Sequence, residues 1–253
     1  MQMQRLNLTY SVVWDGLWHV GSGFRTAATD RLIQRQGGRD GKPFLPGSQI
    51  KGVLRHTCER LALALGLEAV DPHATSPDQR QQLVAHFKPL RHTTLIVDRL
   101  FGTRFQGDCL FVDNAVAKLT GDPDDDTPAT TSIVRARTAM DRVTRTVKEG
   151  HLFTTELADQ RLRLQGSIRA RHASNVLTRD DDGFPYEYSL LVAGLLSIDA
   201  FGGDKSTGLG RCRMTLDEVT WNSQQRTPDE CLATFEEADW KLMIEMLREG
   251  HAQ

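Results

Sequence analysis

Leu6, Leu8, Tyr10 and Val12 alternate with polar residues, a period of two that makes this segment a strand with one buried face. Such a sheet carries an apolar side that another layer must cover. Ile50, Val53, Leu54, Cys58, Leu61 and Leu65 recur at helical spacing and supply that cover. Ser48 is placed as the N-cap of this helix, and Lys51 and Arg55 share another of its faces. Gly16 and Gly21–Gly23 end the strand in a loop, and the glycine- and proline-dense run Gly37–Gly47 predicts a long, turn-rich connection into the helix.

Further along, Asp71–Gln82 reads as a loop or short inserted helix. Thr93–Leu100 and Cys109–Leu119 read as extended segments. The acidic run Gly121–Thr127 lacks the EF-hand spacing and reads as a solvated turn. Residues 132–171 are rich in Arg and Thr, with Met140, Val143, Val147, Leu152 and Phe153 interspersed, and predict an Arg-rich hairpin projecting from a core. Leu190–Ile198 predicts a buried helix, Phe201–Arg211 a glycine-rich loop, and Cys212, Met214 and Leu216 another alternating strand. Phe235 through Leu247 predicts an amphipathic helix with an acidic outer face. This order matches a ferredoxin-like split β–α–β core. The expected fold is therefore α+β, a single domain over 1–253 with insertions at about 66–92 and 120–185 and a C-terminal acidic helix.

Composition narrows the function classes. No run approaches the roughly 20 apolar residues of a membrane helix, and the first residues lack a basic-then-apolar signal, so the expectation is a cytoplasmic protein with no membrane partner. Cys58, Cys109, Cys212 and Cys231 stand far apart with no C-x-x-C pair, which argues against a zinc ribbon or a disulfide framework. The net charge of −2 hides segregation: residues 1–60 and 131–171 each carry nine Lys and Arg against four Asp and Glu. Two basic tracts in a near-neutral chain fit a polyanion groove, or alternatively two solvated faces.

Two segments carry the candidate chemistry. Pro46–Arg55 places Gly47 and Ser48 at a helix mouth, where backbone N–H groups and the helix dipole favour an anion, with Lys51 and Arg55 beside it. Phe201–Arg211 holds four glycines with Lys205 and Arg211, so backbone at Gly203, Gly208 and Gly210 can approach a ligand closely. A capped helix and a plain turn are the ordinary alternatives.

HVGSGFRTAATDRLI, KPFLPGSQIKGVLR, DRLFG, AMDRVTR and FGGDKSTGLGRCRM follow one another in that order. Together they resemble the RAMP (repeat-associated mysterious protein) superfamily, and within it the backbone subunit of type III CRISPR–Cas effector complexes. The resemblance implies a modified RNA-recognition-motif fold with an inserted thumb hairpin and long loops, packed side by side along a CRISPR RNA. It implies guide contacts by Gly47, Ser48, Lys51, Arg55, Gly203, Lys205, Gly208, Gly210 and Arg211, with Met140, Arg142 and Arg145 on the thumb that wedges between guide and target. It also implies neighbouring RAMP subunits and the large and small subunits of a type III complex as partners. Asp30 occupies the place of a carboxylate that cleaves single-stranded target RNA with a divalent metal, Mg2+ being expected. Read from the residues alone, Asp30 is instead an ion-pair partner for Arg25 or Arg31. Two functions follow: a metal-dependent endoribonuclease subunit, or a non-catalytic scaffold that binds guide and target while another subunit cuts. A stand-alone processing nuclease fits less well, because His19, His56, His92, His151 and His172 are scattered, and a structural role is expected for His19.

Overall fold

The computed structural model describes residues 4–38, 41–69, 95–103, 107–117, 131–172 and 184–235, with positions 78 and 81. In chain order the elements that build the core are β1 (Gln4–Trp14), α1 (Gly47–Ala64), α2 (Ile96–Phe101), β2 (Leu110–Val112) and β3 (Val116–Ala117). A hairpin of β4 (Ser132–Met140) and β5 (Val147–Ala158) follows. The core is then completed by β6 (Leu164–His172), α3 (Tyr186–Leu196), β7 (Cys212–Trp221), β8 (Gln224–Arg226) and α4 (Pro228–Leu232).

The main sheet runs β2-β6-β1-β7-β8, with β3 also on β6. β1 is antiparallel to β6 on one side and β7 on the other. Taken as the four core strands, β1, β2, β6 and β7 stand in the order second, third, first, fourth, which is the ferredoxin-like arrangement of two interlocked β–α–β units. The alternation in β1 does what its period requires: Leu6, Leu8, Tyr10, Val12 and Trp14 are buried beneath the two helices. On the other face Ser11 Oγ and Gln165 Nε2 both donate to Asp217 Oδ2, at 2.7 and 2.8 Å, a polar tie across three strands.

α1 buries Ile50, Leu54, Cys58 and Ala62, one stripe at i, i+4, i+8 and i+12. α3 is apolar nearly all round and buried over most of its length, as a helix between sheet and neighbours must be. The two helices touch at Gly194, where an added Cβ would stand 2.5 Å from Cys58 Sγ. Glycine is there because the backbones approach too closely for a side chain.

Three expectations are corrected. Ser48 is not the N-cap of α1: Pro46 is, in extended conformation and with no side-chain cap bond, because proline's fixed φ already sets the chain direction. The stretch read as extended up to Leu100 contains α2 instead. Ile96, Val97, Leu100 and Phe101 are all buried, and a short apolar run of this kind fits either period until packing decides. β6 falls inside the stretch read as an insertion over 120–185, yet it pairs with β1 along nine positions. The acidic run Gly121–Thr127, most of the 66–92 segment and nearly all of the acidic C-terminal segment lie outside the described residues. No helix among the described residues is long and apolar enough to cross a membrane.

The hairpin forms its own two-stranded sheet, and at its root a buried carboxylate adds to backbone bridges with the loop after β1. Glu156, 8% exposed, accepts from Arg35 Nη2 at 2.5 Å and Ser132 Oγ at 2.9 Å through Oε1, and from the Ile33 N–H at 3.1 Å through Oε2. Burial works against its charged form, but these hydrogen bonds outweigh burial and hold the carboxyl below its ordinary range. Its contribution is therefore complete above the ordinary Glu range and is lost as pH falls through the depressed value. Glu156→Gln leaves Arg35 without its counter-ion and is expected to lose about 3 kcal/mol of stability in urea denaturation. The variant should also have a flatter stability profile below about pH 5. Equal midpoints with equal acid sensitivity would contradict this anchoring role.

Candidate functional site

Three segments meet on one side of the hairpin root. The first is the loop after β1, residues 15–36. Trp18 bridges to Ala158 and Arg31 to Thr155, so the loop lies against β5. The second is the hairpin itself. The third is the glycine loop between α3 and β7, which docks on the first by backbone bonds: Gly203 N–H to His19 O and Gly210 N–H to Leu17 O, each 2.9 Å.

Asp30 is exposed on the loop. Its Oδ2 accepts the Thr154 N–H at 2.7 Å and lies 3.1 Å from Thr154 Oγ1, while its own N–H donates to Thr154 Oγ1 at 3.1 Å. The Thr154 backbone bond chiefly, then its hydroxyl, lowers the Asp30 pKa, with Arg25 a smaller influence. Arg25 and Arg31 were the expected counter-ions, and this is a correction of cause. Arg31 turns away from Asp30 and pairs with Asp204 at 3.0 Å. His19 is buried, and its Nδ1 donates to the Glu156 carbonyl at 2.8 Å, a packing contact under the glycine loop. Burial, above all, lowers its pKa.

The bases expected to grip a phosphate backbone divide into two groups. Arg55 spends its guanidinium inward, with Nη2 to Asp98 Oδ1 at 2.7 Å, Nη1 to Gly102 O at 2.9 Å and Nε to Glu59 at 2.8 Å. It holds α2 against α1. Asp98, 2% exposed, is pushed up to about 6 by burial even so. Lys51 pairs with Asp108 and donates to Leu110 O at 3.1 Å. Lys205, Arg142 and Arg145 are exposed, and Arg211 is exposed with Asp15 no nearer than 3.9 Å. Ser48 is exposed, whereas Gly47 is buried with its N–H given to Asn114 Oδ1 at 2.8 Å. A Cβ at Gly47 would collide with Val112 O.

The glycine loop also differs from the expected open donor array. The N–H groups of Gly203, Gly208 and Gly210 go to the carbonyls of His19, Lys205 and Leu17. Gly208 and Gly210 both have left-handed φ, +87° and +75°. Space around Gly208 is open, while a Cβ at Gly210 would run into Phe201 O.

Beyond its root the hairpin is bare. Met140, Val147 and Leu152 are exposed and Val143 is 92% exposed. The tip is closed by Asp141, whose Oδ1 accepts the N–H groups of Val143 and Thr144 at 2.8 and 2.9 Å. Met140, Arg142 and Arg145 therefore sit together at the tip. Phe24, Leu32, Ile33, Arg35, Val134 and Glu156 are among the residues lining a cavity of about 480 Å3, and Phe24 is 74% exposed.

Sequence reasoning missed Thr154, which holds Asp30, and it missed Arg137 and Asp204, whose ion pair also takes in Arg31. One signal was present for Arg137: Arg135 and Arg137 share a strand face by period two. Among the described residues no group of three His, Cys, Asp or Glu converges on a metal position. A family model described as RAMP superfamily matches residues 16–213, more than half of the chain. No curated protein matches it.

The two glycines separate conformational strain from collision. Gly208→Ala is expected to cost about 1 kcal/mol, the penalty of a left-handed alanine. Gly210→Ala adds a backbone collision and is expected to cost about 3 kcal/mol. Urea unfolding of both variants checks this, and equal losses would contradict the assigned difference.

Proposed function

Because the chain belongs to the RAMP superfamily, a group associated with CRISPR–Cas RNA binding, we propose that it is a guide-binding backbone subunit of a type III effector complex. In this reading it works in the cytoplasm beside other RAMP subunits and the large and small subunits. It holds a CRISPR RNA, pairs it with single-stranded target RNA, and cleaves the target at Asp30. The observation that carries the proposal is the placing of Asp30: an exposed carboxylate, fixed by Thr154 at the root of a bare hairpin.

RNA brings its own nucleophile. The 2′-oxygen attacks the adjacent phosphorus, the bond to the 5′-oxygen breaks, and the products are a 2′,3′-cyclic phosphate and a 5′-hydroxyl. The 2′-hydroxyl proton passes to solvent, and the departing oxygen takes one back. A lowered pKa makes Asp30 a poor proton acceptor near neutrality, so its role is charge placement and orientation. Asp30 is the residue that would hold a divalent cation, and among the described residues no second or third His, Cys, Asp or Glu converges with it on one metal position. A divalent cation held by Asp30 would supply charge neutralisation at the phosphate. The thumb tip, with Met140 and Val143 exposed, is suited to wedge between base steps. Guide contacts fall to Lys205, Arg211 and Ser48, with Lys51 and Arg55 joining only by leaving their carboxylates.

The scaffold reading has one observation in its favour, the lack of converging metal ligands among the described residues. Asp30→Ala in a reconstituted guide complex discriminates. Target affinity is expected to stay within a few-fold of wild type, and the cleavage rate to fall by about 100-fold or more. A chelator or a 2′-deoxy nucleotide at the scissile position should stop cutting equally. Unchanged cleavage by Asp30→Ala would leave the scaffold reading standing. For the thumb, Met140→Ser with Val143→Ser is expected to leave guide loading intact and alter cutting efficiency or spacing. Normal cuts would place the wedge elsewhere.

A further inference from the structure

The loop after β1 lies along the free edge of β5 as a short third strand. Arg31 bridges to Thr155 in the parallel sense, its N–H donating to Thr154 O and its carbonyl accepting the Glu156 N–H. Across the hairpin Thr154 pairs with Ala136, Thr155 with Arg135 and Glu156 with Val134. Side chains alternate between faces, so Arg31, Thr155 and Arg135 share one face and their neighbours share the other. On that other face Asp30, Thr154 and Ala136 form one rank, and the Asp30 bonds to Thr154 Oγ1 agree with it. Leu32, Glu156 and Val134 form the next rank, two residues or about 7 Å further along.

All three members of the second rank line the cavity of about 480 Å3, a size suited to small organic groups. Leu32 and Val134 give it apolar surface, and Val134 is 58% exposed. The ion pair in its wall is satisfied within the protein: Glu156 is taken up by Arg35, Ser132 and the Ile33 N–H, and Arg35 also donates to Gly41 O. Two lining groups are left over. Phe24 is largely exposed, and among the described residues no ring stacks on it and none bonds the Gln34 amide. A flat heterocycle needs a ring face to stack on, apolar surface to keep water out, and a donor and acceptor for its edge. The cavity offers all three, one rank away from Asp30.

We infer that this cavity receives one nucleobase of the target RNA, that of a nucleotide beside the bond cut at Asp30, stacked on Phe24 with Gln34 at its edge. The inference rests on the cleavage proposal and names the part of the substrate that the site holds besides the phosphate. Taking a base out of its stack costs free energy, which the cavity offsets. The sugar beside it is then free to turn its 2′-oxygen in line with phosphorus. An amide can present either its oxygen or its nitrogen, so the cavity tolerates any base, as a subunit serving many guides requires.

The test is photocrosslinking in the assembled guide complex. It uses Asp30→Asn, which keeps an oxygen for the Thr154 N–H and does not cut under the cleavage proposal, with complementary RNAs carrying one 5-iodouridine at successive positions. A crosslink to Phe24 is expected at one position per subunit, next to the bond that the wild-type complex cuts. Val134→Trp fills the cavity while leaving Phe24 in place, and is expected to reduce that crosslink about 10-fold or more, because the base loses its stacking platform. An abasic nucleotide at that position and Phe24→Ala should each weaken target binding about 5-fold or more, and the two together no further than either alone. No crosslink at Phe24, equal crosslinks at every position, a crosslink that survives Val134→Trp, or additive losses would overturn the base site. So would dissociation of the complex by Phe24→Ala in sedimentation, which would make a neighbouring copy the occupant. Should Val134→Trp fail to assemble, the abasic comparison decides. If the wild-type complex binds complementary RNA and leaves it intact, the cleavage proposal fails by itself. A position-specific crosslink with the matching abasic loss then still supports the base site, and its absence overturns both.

Discussion

A single buried carboxylate organises the half of the molecule that departs from a plain two-layer fold. Glu156 joins the Arg35 guanidinium, the Ser132 hydroxyl and the Ile33 N–H, and so fastens both hairpin strands to the loop after β1. A two-stranded ribbon is marginal in water without a partner, and the distal half of this one buries nothing. The root must therefore supply its order. Since Asp30 lies three residues before Ile33, and Thr154 two before Glu156, fixing the root also fixes the carboxylate and its donor relative to each other. A buried charge is a costly way to hold two segments together, but it admits one geometry where an apolar contact admits several.

Periodic features were the legible part of the fold. The alternation in β1 and β7, the stripe of α1 and the apolar run of α3 follow from spacing, because each element needs only its own residues to declare a buried face, whereas the hairpin expected over 132–171 followed from its Arg- and Thr-rich composition and occupies Ser132–Ala158. The misreadings share the opposite property. α2 is too short for its period to be distinctive, and Pro46 took the cap that Ser48's chemistry favoured. β6, with its alternating Leu164, Ile168 and Ala170, was absorbed into an Arg-rich stretch whose charges drew the eye from its pattern.

The junction was less legible for a related reason. Asp30 came from resemblance alone, and its partner Thr154 is 124 positions away. Arg31 and Asp204 are separated by 173 positions and Arg137 and Asp204 by 67. Ion pairs between distant segments leave no local signature. The same blindness worked against Arg55: a base on a helix face suggested a phosphate contact, and only tertiary structure places Asp98 beneath it.

The topology of β1 sets the order in which the chain acquires its shape. Its neighbours β6 and β7 come from far downstream, and the bond from the Arg5 N–H to Asn222 spans 217 positions. During synthesis β1 emerges with neither hydrogen-bonding edge matched, and its apolar face waits for α3 as well as α1. Closing such distant pairings is entropically slow, so a ribosome-bound intermediate carries β1 unpaired until β6 and β7 have been made. Such edges are where nascent chains stick to one another. The polar residues that interrupt β1 at Asn7, Thr9 and Ser11 soften that exposure during the wait.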